Sequence, residues 1–153
     1  MAAAMIAALT LAACGSSGSI DTTGATADDY TPEQQEVIEA ATNYRDAIVN
    51  GDPKAACQFT SADKRLELAK ELDEAGSVSK LCIKSLGKEI KAQQKAAGGE
   101  FTIGGVKILG RTEAEVDLSV GDLTGTWFMA LDNDGWRFDG GALGPASDAS
   151  EDE

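Results

Sequence analysis

Residues 113–138, EAEVDLSVGDLTGTWFMALDNDGWRF, decide the fold. Over residues 114–120 apolar residues alternate with polar ones, and this period of two predicts a strand with one buried and one solvated face. Two turn signals follow, Gly121-Asp122 and Asp132-Asn133-Asp134-Gly135, and the second is typical of a tight β-hairpin. Together with the apolar pattern over residues 101–108, the stretch predicts three or four antiparallel strands.

Before residue 101 the apolar period is helical. Thr31, Pro32 and Gln34 form the pattern of a capping box with proline in the first turn. The apolar residues that follow recur at spacings of four, three and four: Val37, Ala41, Tyr44 and Ile48. Further helix starts are predicted at the cap residues Asp52, Ser61 and Ser77. The predicted fold class is therefore α+β, with N-terminal helices packed on an antiparallel sheet.

The apolar run over residues 2–13 is too short to cross a bilayer, which takes about 20 apolar residues, but it suits the core of a secretion signal. It ends in Leu11-Ala12-Ala13-Cys14, which resembles a lipobox, where a bacterial lipoprotein precursor is lipidated on cysteine and cleaved just before it. The resemblance implies a signal peptide over 1–13, a lipid anchor on Cys14, a flexible tether over 14–31, and a location on the extracytoplasmic face of the cell membrane. The usual basic start is absent, since the first basic residue is Arg45, and a buried helix is the alternative.

The chain is strongly acidic, with 13 basic and 26 acidic residues among 153 and a net charge of −13. Such a surface repels phosphate backbones, so nucleic acid is not expected as a partner. Histidine, the commonest general base and metal ligand, is absent from the sequence. We therefore expect no cofactor, no metal site and no set of catalytic residues.

Cys57 and Cys82 remain as a pair if Cys14 carries lipid. Both fall on inward faces of predicted helices in an exported protein, which favours a structural disulfide. A redox-active pair lacks the short Cys-x-x-Cys spacing, and a zinc site would need further ligands.

Five lysines share one face of the predicted helix after Ser77, at spacings of four, four, three and four: Lys80, Lys84, Lys88, Lys91 and Lys95. One interpretation is a docking stripe for an acidic polymer or lipid headgroups. The other, which the sequence favours, is a solvated face that Glu89 partly balances.

The order of parts resembles the nuclear transport factor 2-like superfamily, which includes cystatin-like and ketosteroid isomerase-like proteins. More narrowly, it is similar to small exported lipoproteins of high-GC Gram-positive bacteria. The matching residues are Tyr44-Arg45-Asp46-Ala47, Gly51-Asp52, Ala56-Cys57, Cys82 and Asp134-Gly135-Trp136-Arg137-Phe138. The resemblance implies a domain over 32–143 in which a strongly curved sheet wraps the helices as a cone with an apolar pocket, followed by an acidic tail over 144–153. The candidate pocket residues are Tyr44, Ile48, Val116, Leu118, Phe128 and Phe138.

Three functions fit this sequence. The first is a non-catalytic module that binds a small apolar ligand or an envelope protein. The second is a small pocket enzyme of the isomerase or dehydratase kind, with Tyr44 as hydrogen-bond donor, although the sequence favours a core tyrosine whose hydroxyl has a backbone partner. The third is a homodimer through the outer face of the sheet, with Trp127 and Met129 outward and Phe128 and Ala130 towards the helices. Because no pair of inward carboxylates emerges, the sequence favours the first.

Overall fold

The computed structural model describes residues 29–96 and 100–145. Within them, four helices precede four strands: α1 (Pro32–Val49), α2 (Pro53–Gln58), α3 (Ala62–Glu71), α4 (Val78–Ala96), β1 (Phe101–Ile108), β2 (Glu113–Val120), β3 (Leu123–Asp132) and β4 (Gly135–Pro145). The predicted α+β class is confirmed. The predicted signal peptide, Cys14, the predicted tether up to residue 28 and residues 146–153 lie outside the described residues. β4 extends two residues into the segment that the sequence predicts as a tail.

The helix starts follow from cap chemistry. The Thr31 side chain accepts from the Gln34 amide, and the Gln34 side chain in turn accepts from the Thr31 amide, so the predicted capping box is confirmed. The Asp52 carboxylate accepts from two amides in the first turn of α2, and the Ser61 hydroxyl accepts from the Lys64 amide in α3. These caps fix where the chain turns between α1, α2 and α3. Among the described residues, no helix is both long and apolar enough to cross a membrane.

The sheet is an antiparallel meander in the order β1-β2-β3-β4. The predicted turns are confirmed, since Asn133 and Asp134 join the paired residues Asp132 and Gly135, and a second tight turn joins β2 to β3. α1 packs against both edge strands, β1 and β4, as well as β2. One helix can contact both edges because the sheet is curved around it.

A β-bulge interrupts the ladder between β3 and β4. Phe128 pairs with Gly140 and Met129 with Phe138, so Asp139 is the extra residue. Gly141 follows at φ 141°, and a Cβ there would lie 2.3 Å from the Thr126 carbonyl oxygen. Glycine at this position therefore lets β4 bend while it stays close to β3.

The sheet buries the face that carries Val116, Trp127 and Phe138. The prediction that Phe128 faces the helices and Trp127 the outside is wrong: Phe128 is 48% exposed and Trp127 only 6%. The reason is the register, because Trp127 pairs directly with Val116 and paired residues share a face of the sheet. Met129 is likewise buried, so both residues that were expected on a dimer face belong to the core.

Cys57 of α2 and Cys82 of α4 form the predicted disulfide, with Cα atoms 6.0 Å apart. Both residues are buried in the same core as Leu68 and Leu86. The bond therefore ties the short α2 to the longest helix at the centre of the helical layer.

Candidate ligand-binding cleft

A cleft of about 330 Å³ opens where α1, α3 and α4 meet the bent part of β4. The backbone of Gly140 to Ala142 forms one wall. The side chains around it come from three helices and two strands: Tyr44, Lys64, Glu89, Leu123, Trp127, Phe138 and Leu143. The cleft combines an aromatic floor with two opposite charges.

Three aromatic rings build the floor. Tyr44 stacks on Phe138 with nearly parallel rings, at a centroid distance of 4.1 Å and an interplanar angle of 7°. Trp127 meets Tyr44 edge to face, with centroids 5.1 Å apart, and meets Phe138 in the same manner at 5.5 Å. These arrangements are favourable for aromatic quadrupoles, and they make the floor a rigid apolar surface.

The Tyr44 hydroxyl sits in this floor without a protein partner. The residue is only 4% exposed. Its hydroxyl makes no hydrogen bond within the described part of the chain, and it is not among the fully enclosed polar atoms that lack a partner, so the oxygen borders the open cleft. The expectation of a backbone partner for this hydroxyl is therefore wrong. Burial raises the pKa of Tyr44 well above its usual value, and the charge of Glu89 raises it further. The phenol is thus held as a neutral hydrogen-bond donor.

Glu89 and Lys64 supply the charges. Burial raises the pKa of Glu89, Glu71 raises it further, and Lys64 lowers it. Lys64 itself pairs with Glu67 at 3.0 Å on the solvent side of α3. The pKa is therefore raised for both Tyr44 and Glu89, and this favours the protonated form of each group.

The secondary structure explains how these side chains converge. Tyr44 lies on the buried stripe of α1, in register with Val37, Ala41 and Ile48. Glu89 precedes Ile90, which is buried on α4, and so lies at the edge of that helix's inward face. The bulge at Asp139 turns β4 at the level of the Tyr44 ring, which leaves space between the strand and the helices.

The predicted pocket residues divide into three groups. Tyr44 and Phe138 line the cleft. Ile48, Val116 and Leu118 are buried in the core but do not line it, and Phe128 lies on the opposite face of the sheet. Trp127, Glu89 and Lys64 also line the cleft, although they were not among the predicted pocket residues. For Glu89 a signal existed, because it is the one carboxylate in a lysine-rich helix and lies beside an apolar inward position.

Asp46 and Asp139, which lie close in sequence to the predicted pocket residues Tyr44 and Phe138, have partners that do not line the cleft. Asp46 pairs with Arg45 at 2.7 Å, and Asp139 accepts a hydrogen bond from Ser61. In the part of the chain that the structure covers, no group of three His, Cys, Asp or Glu side chains could hold a metal ion.

The outer face of the sheet carries a second, shallower hollow. Hydroxyl-bearing side chains surround it, and the Thr126 hydroxyl donates to the Asp117 carboxylate at 3.2 Å. Phe128 supplies an exposed aromatic ring to this face. Phe128, and not the expected Trp127 or Met129, is thus the large apolar residue of β3 that this side of the sheet exposes.

No protein-family model matches this chain, and no curated protein matches it. Among solved structures, the chain is similar to an NTF-2-like protein of unknown function from Shewanella oneidensis MR-1. The sequence identity is 16%, the match covers 71% of this chain and 96% of that chain, and the TM-score is 0.46. This similarity is too low to transfer a function.

Proposed function

We propose that the protein is a membrane-anchored extracytoplasmic lipoprotein whose nuclear transport factor 2-like domain is a non-catalytic binding module. In this proposal, lipid on Cys14 holds the domain at the membrane. The cleft at Tyr44 takes a small, largely apolar ligand, for which an aromatic floor with few polar groups is the usual kind of site.

The observation that carries the proposal is the lining of the cleft, in which Tyr44, Trp127 and Phe138 form an aromatic floor. Glu89 is the one carboxylate in this lining, and the remaining members apart from Lys64 are aliphatic residues or glycine. The cleft therefore offers a donor and an apolar surface, which suits binding better than proton transfer.

Binding is tested with the neutral apolar fluorophore N-phenyl-1-naphthylamine. We expect its fluorescence to rise on binding, and Leu123→Ala to weaken the affinity several-fold because that side chain lines the cleft. Leu131→Ala is the matched control, since Leu131 lies on the same strand and is 38% exposed away from the cleft. An equal effect of both substitutions, or no binding to the parent protein, would refute the site.

Anchoring is tested separately by labelling intact cells with an alkyne fatty acid. The protein should carry the label, and Cys14→Ser should remove it. Label that survives this substitution would place the lipid elsewhere and contradict the proposed anchor.

The alternative is a small pocket enzyme of the isomerase or dehydratase kind with Tyr44 as donor. One observation favours it, namely that a tyrosine hydroxyl and a carboxylate line the same cleft. A turnover assay on candidate ketones and epoxides distinguishes the two functions. Activity that is lost in both Tyr44→Phe and Glu89→Gln, in proteins that still fold, would establish the enzyme and overturn the binding module.

A further inference from the structure

Four lysines on α4 form what we call the lysine face: Lys80, Lys84, Lys88 and Lys91. All four are exposed. At 100° per residue they fall within a wedge of about 80°, and at 1.5 Å per residue they span about 17 Å along the helix. The lysine face is thus a narrow, straight row of positive charge on a strongly acidic protein.

The opposite side of α4 is buried and carries Leu86 and Ile90. Glu89, the sole carboxylate of this helix, is itself exposed at the edge of that side, where it lines the cleft with Tyr44. The charges that act on Glu89 come from Glu71 and Lys64 of α3, not from the lysines of its own helix. Glu89 therefore does not balance the lysine face, contrary to the expectation from the sequence.

One member of the lysine face has a partner. Lys84 donates to the Glu74 carboxylate at 2.6 Å, and this hydrogen bond lowers the pKa of Glu74. Lys80, Lys88 and Lys91 form no ion pair with any described residue, although the charge of Lys88 also lowers the pKa of Glu74. Within the described residues Glu74 is thus the carboxylate that pairs with the lysine face, and the row keeps an excess of positive charge.

We propose that the lysine face docks on anionic lipid headgroups, so that the domain lies on the membrane along α4. This docking rests on the proposed extracytoplasmic lipid anchor, which would keep the domain close to such a surface. Lysines within a Debye length of an anionic bilayer are each attracted to it. A flat layer of headgroups can meet a straight row of lysines all at once, whereas a polyanion that wraps the domain would meet its acidic faces.

The test uses the full chain with Cys14→Ser, which carries no lipid, and sedimentation with vesicles. One set contains equal parts of phosphatidylglycerol and phosphatidylcholine, and the other contains phosphatidylcholine alone. We expect binding that depends on phosphatidylglycerol and weakens at 300 mM salt. Lys88→Gln with Lys91→Gln should lower the partition coefficient on the anionic vesicles about tenfold.

The matched control is Lys107→Gln with Arg111→Gln, which removes two exposed positive charges from β1 and the loop after it. This control should change the partition coefficient by less than twofold. Equal losses in both double variants, or equal binding to both kinds of vesicle, would overturn the proposal. Because the assay needs neither Cys14 lipid nor an occupied cleft, its failure is distinguishable from failure of the anchor or of the binding module.

Discussion

The hydroxyl of Ser61 donates a hydrogen bond to the carboxylate of Asp139, and the same oxygen accepts from the Lys64 amide. Ser61 is 2% exposed and caps α3, while Asp139 is the extra residue of the bulge in β4. A single side chain therefore starts a helix and joins it to the bent strand that forms the cleft wall. A parallel bridge between Thr60 and Phe138 reinforces the same junction.

Ser61→Ala removes both hydrogen bonds. We expect a loss of about 1–2 kcal/mol in the free energy of unfolding, since a helix cap disappears and a charge-assisted hydrogen bond is broken. Urea unfolding followed by circular dichroism measures it. Ser77→Ala is the control, because the Ser77 hydroxyl accepts only one long bond, 3.4 Å from the Lys80 amide, on an exposed surface. A larger loss in the control would contradict the role of Ser61.

Removal of the disulfide between Cys57 and Cys82 should be costly. The two residues are 25 positions apart, and a loop of that size corresponds to about 3 kcal/mol in the chain-entropy treatment. Replacement of either cysteine by alanine should cost nearly as much as replacement of both, because one substitution already opens the loop. Urea unfolding of the three variants provides the measurement, and additive losses would show that the loop constraint is not the cause.

Tyr44→Phe should leave the free energy of unfolding within about 0.5 kcal/mol of the parent, because the hydroxyl has no hydrogen bond to lose within the described chain. Phe138→Ala removes the ring stacked on Tyr44 and should cost about 3–5 kcal/mol. Thermal and urea unfolding compare the two. A loss above about 1.5 kcal/mol in Tyr44→Phe would reveal a buried hydrogen bond in solution.

Glu89→Gln should alter how stability depends on pH. Because burial raises the pKa of Glu89 in the folded state above its ordinary value of 4.5, ionisation of this carboxyl opposes folding. Below pH 4.5 the carboxyl is mostly protonated in both states, and the penalty is absent. As the pH rises through the raised pKa the penalty develops, so the variant should gain stability relative to the parent over that window.

Urea unfolding between pH 4 and 8 tests this gain. Glu39→Gln, which removes an exposed carboxyl on α1, serves as the charge-matched control. A gain of the same size in the control would attribute the effect to net charge and not to the cleft.

Local chemistry made much of this fold predictable. Three features depend on residues with strong conformational or chemical preferences of their own. They are the helix cap at Thr31, the hairpin turn at Asn133-Asp134 and the disulfide between Cys57 and Cys82. The orientation of β3 was not predictable in this way. Trp127 and Phe128 are adjacent and both aromatic, so neither is a polar residue that would indicate which side of β3 faces the solvent. The orientation of β3 follows only from the pairing of Trp127 with Val116.

The cleft was harder still to predict, because it arises where five elements meet. Tyr44 and Phe138 were identified from the apolar stripe and the strand pattern, but Lys64 and Glu89 come from helices whose mutual packing the sequence does not specify. The bulge at Asp139, which makes the space, leaves little trace in sequence beyond the two glycines after it.

The meander order of the sheet bears on how this chain folds. Each strand pairs with its immediate successor, across turns of two to four residues, so each ladder closes at little entropic cost. The contact between Ser61 and Asp139, in contrast, spans 78 positions. We therefore expect the β3–β4 hairpin to be formed in the folding transition state, with φ-values near one, and α3 to dock after it, with φ-values near zero at Ser61. Substitutions in the hairpin would then slow folding, whereas substitutions at the α3 junction would mainly speed unfolding.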